Sequence, residues 1–101
     1  MGVEHGLEQF YSALRNAVSS KRSPQEKLAS VLTDIRHLQR DSFPTDAAWE
    51  HFQALMREAT KCEAQFFGDS DIHATVRRMT DEEAQRLLRT GLDLFNELFQ
   101  G

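Results

Sequence analysis

The stretch TDEEAQRLLRTGLDLFNELFQ, residues 80–100, decides the fold of this 101-residue chain. Thr80 and Glu83 have the spacing of a capping box, in which each side chain bonds to the backbone N–H of the other residue. The acidic residues at 81–83 suit the positive end of a helix. Apolar residues then recur every three or four positions, which is the period of an α-helix. We therefore predict a helix that begins after Thr80 and reaches almost to the C-terminus.

The apolar face of this last helix is wider than packing on a core requires. At about 100° per residue it covers roughly 160°, whereas a surface helix needs about 100°. Ala84 lies at its midline. One side consists of Leu88, Leu92, Phe95 and Phe99, and the other of Leu87, Gly91, Leu94 and Leu98. Two interpretations fit: either the helix lies between two others and both sides are internal, or one side contacts a second chain.

Three further residues belong to the candidate interaction surface. Gly91 lies in mid-helix, where Gly costs about 1 kcal/mol relative to Ala, so a close approach by another helix backbone would explain it. Trp49 lies at the edge of its apolar stripe, and Phe66 and Phe67 cannot both face one core. Exposed Trp and Phe are typical binding anchors. The complete candidate surface is Trp49, Phe67, Leu88, Gly91, Leu92, Phe95 and Phe99.

Helical spacing also predicts the elements before residue 80. No strand alternation or hairpin signal competes with it. Phe43, just before a proline, is predicted to fold back over the core as a hydrophobic staple. We predict one all-α domain over residues 1–101, an up-and-down helical bundle of four main helices with a short extra helix before the last. The first helix is predicted to run from about Val3 to Ser19 or Ser20, and the second from Pro24, capped by Ser23, to about Arg40. The third is predicted to run from Pro44 or Thr45 to the stretch at 67–70, with Gly68 as a left-handed cap. The short extra helix is predicted to have about two turns and to contain Ile72, Val76 and Met79.

Composition excludes several classes of protein. A single Cys cannot form an intramolecular disulfide or a multi-cysteine zinc site, and no apolar run approaches the ~20 residues of a membrane span. Without a secretion signal at the N-terminus, we expect a cytoplasmic protein. The 12 basic and 16 acidic residues give a net charge of −4, so nucleic-acid binding is disfavoured. Two small basic pairs, one at residues 36 and 40 and one at residues 77 and 78, could bind an anion, and we keep this as a weaker hypothesis.

Residues that could carry chemistry are few. The four histidines form no Glu-x-x-His pair of the kind that di-iron bundles require. Cys62 falls within the predicted third helix's apolar stripe, where a thiol behaves as a small hydrophobe. We therefore predict no catalytic residue, no metal ligand and no cofactor. The alternative is a small-ligand or metal-dependent bundle that uses His51, His73 or Cys62.

The sequence favours a small non-enzymatic protein-interaction module. Catalytic constellations are lacking, while the last helix carries more apolar surface than its packing needs. An adaptor, regulator, inhibitor or assembly subunit would use such a face to bind a protein partner or, as a homodimer, a second copy.

Overall fold

The computed structural model describes residues 2–19 and 21–100 of the chain. Within these ranges the chain forms five α-helices, one short 3-10 turn and no strand. The prediction of an all-α fold is therefore confirmed. The helices are α1 (Val3–Val18), α2 (Pro24–Ile35), α3 (Asp46–Ala59), α4 (Asp71–Arg77) and α5 (Asp81–Gln100), and the 3-10 turn is Arg40–Ser42.

Helices α2 and α5 are the ones against which the others pack. α2 contacts α1, α4 and α5, while α5 contacts α1, α2 and α3. A helix with three neighbours needs a wide apolar face, so part of the breadth of α5 is explained inside the fold. Extensive packing of α2 on α3 is not found in the described part of the chain. The up-and-down order of four main helices therefore stays a prediction.

The predicted capping residues begin α2 and α5. The Glu26 backbone N–H donates to the Ser23 hydroxyl at 3.2 Å. The Glu83 N–H donates to the Thr80 hydroxyl at 3.1 Å, and the Thr80 N–H donates to the Glu83 carboxylate at 3.2 Å. Each contact satisfies a helix-terminal N–H that has no partner within the helix. The starts of both helices are therefore confirmed.

Helix α3 ends at Ala59, well before the predicted end at residues 67–70, so that prediction is wrong. The Thr60 hydroxyl donates to the Met56 carbonyl at 2.6 Å, and the Cys62 N–H donates to the Thr75 hydroxyl at 2.9 Å. These bonds carry the chain away from the helix axis and towards α4. Cys62 therefore lies in a loop, which we call the 60–70 loop, and not on the apolar stripe of α3.

Gly68 has the predicted left-handed conformation, with a φ of 89°, but it does not cap α3. It lies in a turn of the 60–70 loop, where the Asp69 N–H donates to the Phe66 carbonyl at 3.0 Å. Glycine adopts a positive φ without the steric cost that other residues pay. The predicted left-handed conformation of Gly68 is therefore correct, but the prediction that it caps α3 is wrong.

Helix α2 ends at Ile35 and not at Arg40, so its predicted end is also wrong. The Leu38 N–H donates to the Ile35 carbonyl at 3.0 Å, and the chain then enters the 3-10 turn. The Arg40 guanidinium holds the next segment by donating to the Phe43 carbonyl at 2.7 Å and to Asp46 at 2.6 Å. Phe43 is buried there, as the staple prediction requires.

Gly6 is the position where α1 meets the 3-10 turn. A Cβ atom added to Gly6 would lie 2.7 Å from the Ser42 carbonyl oxygen and 2.8 Å from the Ser42 Cβ. Both residues are buried, so neither can move aside into solvent. Glycine is needed here because only a residue without a side chain permits this approach.

We expect Gly6→Ala to destabilise the fold by about 1–2 kcal/mol. The steric overlap costs about 1–3 kcal/mol, of which the higher helix propensity of Ala returns up to about 1 kcal/mol. Gly91→Ala is the matched control, because a Cβ at Gly91 would meet no described atom within 4 Å apart from its chain neighbours and the backbone of its own helix. That control is expected to stabilise by up to about 1 kcal/mol. Urea denaturation of both variants measures the two changes, and changes of the same sign would contradict this packing.

Candidate interaction surface

The structure divides the wide apolar face of α5 into two halves. The inner half is buried in the core and consists of Ala84, Leu87, Gly91, Leu94 and Leu98. The outer half is only partly covered by the described residues. Leu88 and Phe95 are half-buried, while Leu92 is 48% exposed and Phe99 is 72% exposed. The first of the two interpretations therefore holds for the inner half only.

Helix α1 lies beside the outer half of α5 and extends it. Tyr11 is 56% exposed, Val18 is 79% exposed, and Leu14 between them is half-buried. The rings of Tyr11 and Phe95 have centroids 6.4 Å apart. The two helices thus form one continuous apolar surface, which we call the α1–α5 face: Tyr11, Leu14, Val18, Leu88, Leu92, Phe95 and Phe99.

The α1–α5 face is a shallow groove between two antiparallel helices. Val18 shares a depression with Leu88, whereas Tyr11 shares the adjoining one with Phe95. Residue numbers therefore increase along α1 as they decrease along α5. Leu92 lines both depressions and lies near the middle of the groove.

The two ends of the α1–α5 face carry opposite charges. The depression shared by Val18 and Leu88, at one end of the groove, is also lined by Lys27 and Arg89. Arg15 lines the adjoining depression, one helical turn beyond Tyr11 towards that end, and no described acidic residue lines either depression. None of these three cations forms an ion pair with another described residue. On α1, Glu4 and Glu8 are exposed, and their helical spacing places them on the same side as Tyr11, nearer the start of the helix. We call these the basic end and the acidic end.

Gly91 lies on the inner half of α5, and no close backbone approach accounts for it within the described chain. A Cβ there would find no neighbour within 4 Å. Trp49 is half-buried on α3, with its ring 5.3 Å from that of Phe43 and 5.7 Å from that of Phe52. It therefore belongs to an internal aromatic cluster, and not to the α1–α5 face.

Phe67 is fully exposed in the 60–70 loop, which is tied firmly to α4. The Arg77 guanidinium donates to both Asp69 carboxylate oxygens at 2.8 Å and lies 5.2 Å from the centre of the Phe66 ring. The Gln65 N–H also donates to Asp69, at 2.8 Å. The bond from Arg77, and then the bond from Gln65, hold the pKa of Asp69 well below its ordinary value.

This pKa shift predicts how the stability of the 60–70 loop responds to acid. A carboxylate whose pKa is lowered by folding stabilises the fold above its ordinary pKa of about 4, and this stabilisation is lost as the pH falls below that value. We expect Asp69→Asn to lower the melting temperature at neutral pH. The difference from wild type should shrink between about pH 5 and pH 2.

Asp93→Asn is the control, because Asp93 is exposed and forms no ion pair with a described residue. Thermal melts followed by circular dichroism measure both differences across the pH range. A constant deficit of Asp69→Asn from pH 7 to pH 2 would show that the ion pair with Arg77 does not stabilise the loop.

The small-ligand or metal hypothesis depends on His51, His73 and Cys62, and the contacts observed for the two histidines are with other residues. His51 Nδ1 is 2.9 Å from a Glu97 carboxylate oxygen, and His73 Nδ1 is 2.7 Å from the Ser70 hydroxyl. Cys62 is half-buried in the 60–70 loop. The described residues contain no group of three or more His, Cys, Asp or Glu that could hold a metal ion. These positions therefore give the metal hypothesis no support.

Three of the four arginines in the basic pairs noted in the sequence form salt bridges within the fold. Salt bridges join Arg36 to Asp71 at 3.1 Å, Arg40 to Asp46 at 2.6 Å and Arg77 to Asp69 at 2.8 Å. Cations already paired with carboxylates are poor sites for phosphates, since a new anion would have to displace an existing partner. None of the helices in the described ranges has the length and apolar character needed to cross a membrane.

The chain matches no protein-family model, no curated protein and no solved structure. Its most distinctive described feature is the clustering of exposed apolar side chains. Six large hydrophobic residues are exposed among those described, and four of them lie on the α1–α5 face. The other two are Phe66 and Phe67 of the 60–70 loop.

Proposed function

We propose that this chain is a non-enzymatic protein-interaction module that binds another protein chain through the α1–α5 face. The supporting observation is the contiguity of the exposed residues Tyr11, Val18, Leu92 and Phe99 with half-buried neighbours. Single exposed hydrophobic residues are ordinary, whereas contiguous apolar patches mark interaction sites. Such a module would serve in the cytoplasm as an adaptor, regulator, inhibitor or assembly subunit.

The size of the α1–α5 face suits the core of an interface. A large aromatic side chain has about 150–250 Å² of surface, so the exposed parts of this face sum to an area on the order of 500 Å². A standard interface buries about 800 Å² on each partner, with an apolar core and a polar rim. The charged residues at both ends of the face would supply part of that rim.

The shape of the α1–α5 face favours a helical partner. A groove between two antiparallel helices accepts the apolar stripe of a third helix, with anchors spaced three or four residues apart. We therefore expect the bound segment of the partner to be an amphipathic helix.

Site-specific photo-crosslinking in the native host tests this function. A photoreactive phenylalanine analogue replaces Leu92, and in a second variant it replaces the neighbouring exposed Asp93 as the matched control. We expect a discrete adduct with a protein, either another copy or a different chain, at position 92 and not at position 93. Equal adducts at both positions, or none at either, would overturn the proposed function.

A further inference from the structure

We propose that the α1–α5 face binds a second copy of this chain, related by a twofold axis that places the basic end of one copy against the acidic end of the other. This inference rests on the proposed function and identifies the partner. It is carried by the charge pattern along the face, in addition to its apolar character.

The charges at the two ends of the α1–α5 face are complementary to those of a second copy of the same face. In a twofold dimer, the same surface patch lies on both sides of the interface. When the axis runs across the groove, each end of the patch meets the opposite end of its copy, whereas an axis along the groove would bring equivalent ends together. Arg15, Lys27 and Arg89 at the basic end would therefore face Glu4 and Glu8 at the acidic end. A face with one sign of charge at both ends would repel its own copy.

The middle of the α1–α5 face is apolar. Tyr11, Leu92 and Phe95 lie between the charged ends, and the middle of a twofold patch contacts its own counterpart. Tyr11 and Leu92 of one copy would be covered by the same residues of the partner. The α1 and α5 helices of both copies would then form a four-helix interface around apolar side chains.

The charges also determine the relative direction of the two faces. If the two copies bound with equivalent ends together, Arg15 and Arg89 would lie against the partner's cations, which are themselves unpaired within the described chain. Juxtaposition of like charges disfavours such an arrangement. The charges thus select the antiparallel arrangement of the two faces.

Sedimentation equilibrium of the full chain tests the dimer. The mass should rise from 11.6 kDa towards twice that value as the concentration increases from about 2 to about 200 μM, as mass action requires. Leu92→Asp should remain a folded monomer throughout. Thr90→Asp, on the exposed opposite side of α5, is the matched control and should dimerise like the wild type.

A pair of charge-reversal variants tests the twofold arrangement. Arg15→Glu with Arg89→Glu makes both ends acidic, whereas Glu4→Arg with Glu8→Arg makes both ends basic. Each variant alone should self-associate at least about tenfold more weakly than wild type, which corresponds to about 1.4 kcal/mol. A 1:1 mixture should recover an affinity within about threefold of wild type, because opposite ends then meet at both contacts.

Two results would overturn the inference: a wild-type chain that is monomeric at about 200 μM, or a mixture that binds no better than either variant alone. If the chain is monomeric while the crosslinker at position 92 captures a different protein, the dimer is excluded and the proposed function stands. If neither association nor a specific adduct is found, both fail.

Discussion

Leu94→Asp is expected to unfold the chain, whereas Leu92→Asp, two positions away on α5, is expected to leave it folded. Leu94 is 2% exposed on the inner half of the helix. Removing its side chain costs about 2–5 kcal/mol, and an unpaired buried carboxylate costs several kcal/mol more. This sum approaches the entire stability of a typical domain, about 5–15 kcal/mol.

The matched substitution at Leu92 separates a core position from a surface position with the same chemistry. Leu92 is about half exposed, so its aspartate remains in water and should cost no more than about 1 kcal/mol. Far-ultraviolet circular dichroism and thermal melts measure both variants. If both variants unfold, the outer half of α5 also belongs to the core. If both variants fold, the inner half of α5 does not belong to the core.

Phe10→Ala is expected to destabilise the fold by about 3–5 kcal/mol, which is the usual cost of removing a buried aromatic side chain. Phe10 is fully buried, and its ring contacts those of Phe43 and Phe52 edge-to-face, with centroids 6.5 Å and 6.3 Å apart. Through the Phe10 side chain, α1 therefore packs against both α3 and the segment that precedes α3. Its loss would leave a cavity where these elements meet.

The adjacent residue provides the control for this cavity. Tyr11→Ala removes an aromatic ring from the same helix but from an exposed position, and it should cost less than about 1 kcal/mol. Urea denaturation can be followed by the fluorescence of Trp49, the single tryptophan, which stacks on Phe52 in the same cluster. Equal costs for the two substitutions would contradict the aromatic core.

The starts of the helices could be predicted from the sequence because the signals are local. A hydroxyl at the cap with a carboxylate three residues later identifies both Ser23 and Thr80. The wide face of α5 was also visible, since it depends only on helical periodicity. These predictions require no knowledge of which helices are neighbours.

The end of α3 depended on a contact with a later part of the chain. Cys62 bonds through its backbone to Thr75, and nothing near Cys62 in the sequence signals that bond. Gly6 and Ser42 lie even further apart in the sequence, so the requirement for that glycine was missed. Periodicity alone continues a helix until a visible breaker, and the predicted α3 was therefore too long.

The α1–α5 face was only half predicted. The outer residues of α5 were identified, but Tyr11 and Val18 of α1 were not among the candidate residues. Their role depends on α1 lying antiparallel to α5, an arrangement that single-sequence periodicity does not specify. The signal that could have found them is the surplus of apolar residues on α1, considered together with that on α5.

The most direct test of the central claim, that the α1–α5 face is a protein interface that binds a second copy of this chain, uses Tyr11 as a probe. It is the only tyrosine of the chain, so 3-fluorotyrosine places a single ¹⁹F nucleus on this face. We predict that the ¹⁹F chemical shift changes as the protein concentration rises from about 5 to about 500 μM, and that Leu92→Asp abolishes the change. A shift that is constant over this range, in wild type and Leu92→Asp alike, would contradict the claim that this face binds a second copy.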